Sequence, residues 1–352
     1  MPIDWLFILE EVFDMYENGV YTQTDLEVMS VLSDFLPDQI FDAHAHLYDN
    51  QFLKVLHPQG SPRQFYGVDE YIRDTAPMLM NPKELALNII TYPDPSMADP
   101  NCDSKARSDA FLVSQLEKSP HSVGEIIVTP GDTPEHLLSR LTHPRIRGFK
   151  CYHYCSGLKD TWNLDIGDYL PEAAWEVANE KHMVITLHMV KDKALADPSN
   201  LNFILTMAKR YPNATLILAH AARAFASWTG VETVENVAHL DNVWFDLSGV
   251  CESPAMVQIF NKCGTQRVMW GSDYPISNLR GKAISLGDGF YWIYRQDLEH
   301  FQAATPIRAC LVGIENLLAT RQACILANLD RNAVEDVFYN NANRLFFNED
   351  KQ

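Results

Sequence analysis

The chain has 352 residues, 47% of them hydrophobic, and its 28 Lys and Arg against 46 Asp and Glu give a formal net charge of −18. This acidic balance argues against nucleic acid and anionic membranes as partners, since both need basic patches, and no apolar stretch reaches the length of a membrane span. The seven cysteines form no CxxC pair, and the first residues lack a basic flank and a cleavage site. We therefore predict reduced thiols in a cytoplasmic protein without a signal peptide.

The N-terminal segment has helical character. Residues 1–38 carry two apolar stripes at helical spacing. Pro37 ends this pattern immediately before the first run with strand character. We predict that residues 1–38 form a helical extension packed on the main fold.

From residue 39 onward, short β-rich runs alternate with helical patterns. The predicted strands cover residues 40–47, 85–91, 123–128, 146–152, 184–189, 215–219, 243–247 and 267–271. The predicted helices cover residues 68–78, 104–117, 134–141 and 171–181, a segment near 201–208, residues 231–240 and a segment that starts at Ser253. Eight such units within residues 39–280 suit the size of a (β/α)8 TIM barrel of the α/β class. An open doubly wound sheet is the alternative, although no GxGxxG follows the first strand.

The C-terminal part lacks this rhythm. Residues 281–352 are interpreted as a loop followed by helices over 307–328 and 331–346. We predict that they pack on the barrel as a C-terminal helical extension.

Polar residues stand at the carboxyl ends of several predicted strands, where a barrel of this kind carries its chemistry. His44 and His46 are two apart in the first strand, so both side chains point to the same face and together can bind one divalent cation. The corresponding residues in the fourth, fifth, sixth and eighth strands are Lys150, His188, His220 and Asp273. Because these ends meet on one side of a barrel, we predict a single site there.

As an ordered set, the motifs around these residues resemble the amidohydrolase superfamily, and more narrowly its amidohydrolase-related (amidohydrolase 2) branch of lactonases, ring-opening hydrolases and non-oxidative decarboxylases. The motifs are Asp42-Ala43-His44-Ala45-His46, Gly148-Phe149-Lys150, Leu187-His188, Ala219-His220, Gly271-Ser272-Asp273-Tyr274-Pro275 and Asn340-Asn341-Ala342-Asn343-Arg344-Leu345-Phe346. The resemblance implies one or two divalent metals. The implied ligands are His44, His46, His188 and Asp273, with His220 beside the attacking water.

The chemistry of these side chains agrees with those roles. Neutral imidazoles with a carboxylate suit Zn²⁺ best, and also Mn²⁺ or Fe²⁺. Asp273 can accept the proton of the water and pass it to a leaving group, and His220 can orient the water or polarise a carbonyl. Asp42 is predicted to orient one of the two histidine rings of the first strand.

Three further residues are candidates for binding the substrate. Lys150 is either a free ammonium that binds a substrate carboxylate or, as in binuclear members of the resembled superfamily, a carboxylated lysine that bridges two metals. Arg223 can form a bidentate pair with a carboxylate, or a structural salt bridge. Tyr152 either lines the pocket or belongs to the barrel core.

The leading functional prediction is a metal-dependent hydrolase that acts on a small carboxylate-bearing ester, lactone or amide. Non-oxidative decarboxylation or another carbon–carbon cleavage at the same site is the first alternative. A catalytically silent barrel that binds a ligand is the second. The predicted partner is a small-molecule substrate, and the terminal helices can either form a homodimer or simply cover the barrel.

Overall fold

The computed structural model describes residues 20–54, 64–298 and 307–347. At its centre lies a sheet in which eight strands run parallel. The strands are β1 (Gln39–Asp49), β2 (Phe65–Tyr66), β3 (Glu84–Thr91), β4 (Val123–Ile127), β5 (Ile146–Cys151), β6 (Val184–Leu187), β7 (Thr215–Leu218), β8 (Val243–Asp246) and β9 (Val268–Met269). The short β2 is the exception, since it pairs antiparallel with the end of β1.

The sheet closes on itself because the segment that follows β9 hydrogen-bonds to β1. The amide of Asp273 donates to the carbonyl of His44 at 2.8 Å, and the amide of His46 donates to the carbonyl of Tyr274 at 2.7 Å. The parallel strands follow one another in chain order around the sheet. This is the TIM-barrel architecture that the strand–helix rhythm predicts, and that prediction is confirmed.

Helices α2 (Val68–Thr75), α3 (Ser104–Lys118), α4 (Pro134–Arg140), α5 (Glu172–Lys181), α6 (Pro198–Arg210), α7 (Ser227–Thr233) and α8 (Ser253–Cys263) lie between successive strands of the barrel. The helix α1 (Gln23–Met29) precedes the barrel, and α9 (Arg295–Leu298), α10 (Val312–Leu326), α11 (Arg331–Glu335) and α12 (Asn341–Phe347) follow it. A π-helical turn over Asp336–Asn340 joins α11 to α12. None of the described helices is long and apolar enough to cross a membrane.

Local sequence signals explain where several helices begin. Thr133 caps α4 by accepting a hydrogen bond from the amide of His136, and Pro134 occupies the first turn. Asp197 caps α6 through the amides of Ser199 and Asn200. These polar caps lie in the loops after β4 and β6 and determine where the following helices begin.

The C-terminal helix α12 plugs the amino end of the barrel, opposite the predicted site. Phe346 stacks on Phe41 of β1 with ring centroids 5.6 Å apart. Both belong to an apolar cluster that collects residues from the starts of several strands, including Trp244 and Met269. This cluster seals the amino end of the barrel.

Several predicted boundaries differ from the observed ones. The predicted loop after the barrel contains an antiparallel hairpin of β10 (Gly281–Leu286) and β11 (Gly289–Tyr294), so that interpretation is wrong. The helix predicted at 231–240 is replaced by α7 and a 3-10 turn over Val234–Val237. The helix predicted from residue 307 begins at Val312.

The terminal extensions are described only in part. α1 confirms helix in the N-terminal segment from residue 23, whereas the part of this predicted extension over residues 1–19 lies outside the described residues. The C-terminal extension is described over residues 307–347. The division into three segments therefore stays a prediction.

Candidate metal centre

The centre of the site is the histidine pair at the carboxyl end of β1. The Nε2 atoms of His44 and His46 lie 3.2 Å apart. Asp273 completes the group, because its Oδ1 lies 3.8 Å from Nε2 of His44 and 3.7 Å from Nε2 of His46. All three side chains are buried, so one divalent ion here would be largely shielded from bulk solvent.

The hydrogen-bond partners of the rings fix their tautomers. Nδ1 of His44 lies 3.1 Å from Oδ2 of Asp246, and Nδ1 of His46 lies 3.4 Å from the carbonyl of Thr91. Both acceptors require a proton on Nδ1, which leaves a lone pair on each Nε2 atom. Two buried lone pairs that face each other repel, and a shared cation relieves that repulsion.

The spacing of these donors fits a metal. In a tetrahedral zinc site with Zn–N bonds of about 2.05 Å, two ligand nitrogens lie about 3.3 Å apart. The observed Nε2–Nε2 distance of 3.2 Å agrees with this value. A carboxylate oxygen then supplies a third protein ligand, which leaves a position open for water, as in catalytic sites.

Asp273 has an unusual backbone conformation. Its φ of +57° lies in the left-handed region, where residues other than glycine are uncommon and often functional. Gly249, also at positive φ, packs against it, and a Cβ added there would lie 3.3 Å from Oδ2 of Asp273. A glycine at this position therefore gives the carboxylate room beside the two histidines.

A second group of possible ligands, formed by His44, His220 and Asp246, lies next to the first. The hydroxyl of Ser248 occupies its middle, 3.2 Å from Nδ1 of His44 and 3.0 Å from Nδ1 of His220. It also donates to Oδ1 of Asp246 at 2.5 Å. Because this hydroxyl fills the space between the nitrogens, the group forms a hydrogen-bond network that orients His44 and His220, rather than a second ion site.

His220 and His188 form a directed pair across the pocket. Nδ1 of His220 lies 3.0 Å from the carbonyl of Ser248, so this nitrogen carries the proton. Nε2 of His220 then accepts from Nδ1 of His188 at 3.1 Å. This leaves the Nε2 lone pair of His188 available in the pocket, as a metal ligand requires. Its coordination of the metal stays a prediction.

The turn that carries His220 is strained. Four successive residues, from His220 to Arg223, have positive φ values between 51° and 62°. A left-handed conformation costs an L-residue roughly 1–2 kcal/mol. The amide of His220 donates to Oδ1 of Asp246 at 3.1 Å, so the same carboxylate that orients His44 also supports the start of this turn.

Burial controls the charge of the site. It lowers the pKa of all four histidines, His44, His46, His188 and His220, well below the ordinary value, so the rings are neutral, as metal ligands must be. Burial also raises the pKa of Asp273. A bound cation would oppose that effect and favour the carboxylate.

Lys150 reaches the same centre from β5. Its Nζ lies 3.2 Å from Nε2 of His44 and is fully buried. Burial lowers the pKa of this amine, while Asp246, Glu125 and Asp273 partly oppose the effect. The neutral amine is the form that would be carboxylated, so both predictions for Lys150 stay open.

The metal centre opens into a pocket at the carboxyl end of the barrel. Histidine, tyrosine and small apolar side chains line it, together with one carboxylate: His46, Tyr92, Pro93, Tyr152, Tyr154, His188, His220, Asp273 and Ile276. Tyr152, a predicted substrate-binding residue, stacks on His188 with ring centroids 4.4 Å apart. No Lys or Arg of the described residues lines this pocket.

Neither Arg223 nor Asp42 belongs to the pocket lining. The Arg223 guanidinium donates to the carbonyl of Lys191 at 3.0 Å and lies over the ring of Phe290, outside the pocket lining, so its role in binding substrate stays a prediction. The prediction that Asp42 orients a histidine ring is wrong. Its carboxylate accepts from Tyr71 at 2.7 Å, as well as from two backbone amides.

Sequence reasoning missed Asp246, Ser248, Tyr92 and Tyr154. Asp246 ends the apolar run of the seventh predicted strand, and its place at a strand end was the signal that could have revealed it. Tyr92 follows the second predicted strand in the same way. Tyr154 lies in a 3-10 turn that no periodicity indicates.

Comparison with known proteins shows the family of this chain. The family model described as Amidohydrolase matches residues 41–347. The chain belongs to the amidohydrolase family. A curated relative, the L-fucono-1,5-lactonase of Burkholderia ambifaria, is 27% identical over 187 residues, which cover 48% of this amidohydrolase and 60% of the relative.

Solved structures share the fold. An amidohydrolase from Burkholderia multivorans with bound zinc aligns with a TM-score of 0.55 and 14% identity, over 88% of this chain and 99% of that one. A 5-carboxyvanillate decarboxylase from Novosphingobium aromaticivorans, complexed with manganese, aligns with a TM-score of 0.56 and 12% identity, over 90% and 97%. These structures show the same barrel fold as this member of the amidohydrolase family.

Proposed function

We propose that this amidohydrolase hydrolyses a small lactone or ester, using a water activated by one divalent ion, most simply Zn²⁺. The observation that carries the proposal is the convergence of two Nε2 lone pairs and the Asp273 carboxylate beside an open pocket. The curated lactonase relative supports a lactone as the first substrate class to test. The substrate carboxylate predicted from the sequence stays a prediction, and its candidate partner is Lys150, whose Nζ lies 3.2 Å from Nε2 of His44.

The protein side chains have distinct tasks in such a reaction. The ion would supply hydroxide at neutral pH, since divalent metals lower the pKa of water from 15.7 to about 7. His44 and His46 would hold the ion, and Asp246 keeps His44 in the required tautomer. Asp273 would accept the proton of the water and return it to the leaving oxygen. His188, oriented by His220, faces the same pocket.

The test combines metal content with turnover. Elemental analysis of the protein, purified without added metal or a His-tag, counts ions per chain, and a pH-stat follows acid release from a panel of lactones and esters. About one equivalent and lactone hydrolysis are expected. Asp273→Asn should abolish turnover, whereas Asp288→Asn, an exposed carboxylate in the hairpin turn, should not.

Other outcomes separate the alternatives. Two equivalents would favour a carboxylated Lys150, with His188 and His220 on the second ion. Release of CO₂ from aromatic acids, with no lactone hydrolysis, would favour the decarboxylase alternative. A loaded metal site with no turnover on either panel would favour a ligand-binding barrel. Failure to bind Zn²⁺ or Mn²⁺ would overturn the proposal.

A further inference from the structure

A buried aspartate joins the two chain segments that carry the histidine pair and Asp273. Oδ1 of Asp42 accepts from the amide of His44 at 3.0 Å and from the amide of Ser272 at 2.9 Å. The Asp42 side chain is fully buried. One carboxylate oxygen therefore bonds both to a proposed metal ligand on β1 and to the residue immediately before Asp273.

The bond within β1 coincides with an irregularity of that strand. The register of β1 against β3 shifts between Asp42 and Ala45, and the His44 amide that bonds to Asp42 lies inside this shift. Aspartate side chains commonly accept from the amide two residues further along the chain. The Asp42 carboxylate therefore supports the backbone at His44, whose ring belongs to the metal centre.

The segment that carries Asp273 lies directly against this part of β1. The amide of Asp273 donates to the carbonyl of His44 at 2.8 Å. A Cβ added at Gly271 would lie only 2.9 Å from the Cβ of His44, so the glycine permits this close approach. Because the two segments touch, the bond from Ser272 to Asp42 determines where the backbone of Asp273 lies relative to the histidine pair.

Helix α2 supports the same arrangement from outside the barrel. The Tyr71 hydroxyl donates to Oδ2 of Asp42 at 2.7 Å, and the Tyr274 hydroxyl donates to Oδ2 of Asp74 at 2.9 Å. The rings of Tyr71 and Tyr274 meet edge to face with centroids 5.2 Å apart. Tyr71, Asp74 and Tyr274 are all buried, so water does not compete for these bonds, and bonds to a carboxylate are strong.

We infer that Asp42 is a positioning residue that sets the distance between the Asp273 carboxylate and the histidine pair, and that Tyr71 fixes Asp42 in this role. The inference rests on the proposed function, since the residues that Asp42 positions are the ligands proposed there. Asp42 acts through backbone amides, so an acceptor oxygen is required at this position. Asparagine supplies such an oxygen, whereas alanine does not.

Titration with Co²⁺ tests the role of the carboxylate, because the visible absorption of this ion depends on the geometry of its ligands. In Asp42→Ala, the Kd for Co²⁺ should rise about 10–100-fold and the visible spectrum should change. Asp42→Asn should bind Co²⁺ nearly as tightly as the wild type and keep its spectrum. If asparagine loses as much affinity as alanine, the acceptor oxygen is not what matters, and the inference is overturned.

Removal of the Tyr71 hydroxyl tests the support from α2. Tyr71→Phe keeps the ring and should raise the Kd for Co²⁺ about three- to tenfold. Tyr339→Phe is the matched control, because the Tyr339 hydroxyl also donates to a carboxylate, Oε1 of Glu84 at 2.6 Å, but at the amino end of the barrel. Both variants should unfold at lower urea concentrations, whereas only Tyr71→Phe should bind Co²⁺ more weakly.

Hydrogen exchange in the metal-free protein separates this inference from the proposed function. The amides of Ser272 and Asp273 should exchange faster in Asp42→Ala and in Tyr71→Phe than in the wild type. They should exchange at the wild-type rate in Tyr339→Phe. If the wild type binds neither Co²⁺ nor Zn²⁺, the proposed function fails, and the exchange rates alone decide whether Asp42 holds the Asp273 segment.

Two further results would overturn the inference. The first is a folded Asp42→Ala protein with the Co²⁺ affinity and spectrum of the wild type. The second is an equal loss of Co²⁺ affinity in Tyr71→Phe and Tyr339→Phe, since a general loss of stability would then explain both. If Asp42→Ala does not fold, Tyr71→Phe decides, and unchanged affinity together with unchanged exchange at Ser272 and Asp273 would refute the positioning role.

Discussion

Asp246 offers the sharpest test of how the metal centre is held together. Its Oδ2 accepts from His44 at 3.1 Å, and its Oδ1 accepts from the amide of His220 at 3.1 Å and from the Ser248 hydroxyl at 2.5 Å. Asparagine keeps one oxygen and replaces the other with an NH₂ donor. In Asp246→Asn, that donor must face either His44 or the Ser248 side, and both places already hold a donor.

The size of the effect follows from the bond that is lost. If the amide faces His44, the ring loses a charge-assisted acceptor, which contributes about 1.5–3 kcal/mol. The tautomer with the proton on Nε2 then becomes favoured, and that nitrogen can no longer bind a cation. Partners of metal-bound histidines typically contribute 10–100-fold in metal affinity. We therefore expect the Kd for Zn²⁺ to rise about 10–100-fold.

A competition titration against a chromophoric chelator at neutral pH measures this Kd. Asp241→Asn is the matched control, because Asp241 is exposed just before β8 and should leave affinity unchanged. Thermal unfolding of the metal-free variants shows whether Asp246→Asn still folds. A folded Asp246→Asn protein that binds Zn²⁺ as tightly as the wild type would refute the orienting role of Asp246.

Three further predictions concern stability. Burial raises the pKa of Glu125 to about 7 from 4.5, so the folded state favours the protonated acid, and stability should fall by about 3 kcal/mol as the pH rises from 4.5 through 7. The free energy of unfolding of Glu125→Gln, measured in urea, should not fall over this pH range. If the wild type and the variant show the same pH dependence, the prediction is contradicted. Phe346→Ala should cost about 3–5 kcal/mol by opening the plug of the barrel, and a urea-measured cost below about 1 kcal/mol would contradict that packing. His182→Gly should raise the free energy of unfolding by about 0.5–1 kcal/mol, because the exposed His182 ends α5 with a φ of +52°. Thermal unfolding measures this, and a lower Tm for the variant would refute the prediction.

The barrel could be predicted because its information is local and repeated. Each strand is a short buried run and each helix an amphipathic one, so their alternation fixes the class of fold. The same logic placed His46, His188, His220 and Asp273 in one site, since parallel strands bring their carboxyl ends together. All four of these residues line the observed pocket.

The hairpin was missed although its signals are local. Residues 281–286 and 289–294 pair in antiparallel register around Gly287 and Asp288, and a two-residue turn that begins with glycine is typical of hairpins. When its composition alone is considered, this segment, rich in glycine and aromatic residues, is typical of a loop. Pairing across the turn, rather than the composition of either strand, decides the structure here.

Networks between distant strands are harder to predict. Asp246 of β8 contacts His44, which is 202 residues away in the chain, and no spacing rule connects the two positions. Asp42 illustrates the opposite error, because closeness in sequence to His44 suggested contact with its ring. In the structure its carboxylate instead accepts from the His44 amide and from Tyr71. Only the closed barrel determines which acid faces which histidine.

Two of the catalytic candidates lie at positions with a left-handed backbone conformation. Asp273 and His220 both have positive φ values, of 57° and 58°, and neither is a glycine that would adopt them freely. A regular strand would have carried each side chain outward or along the sheet, whereas the left-handed turn at its end redirects it into the pocket. At His220, the hydrogen bond from its amide to Asp246 supports this conformation. At these two positions the left-handed conformation therefore accompanies the convergence of side chains from separate strands.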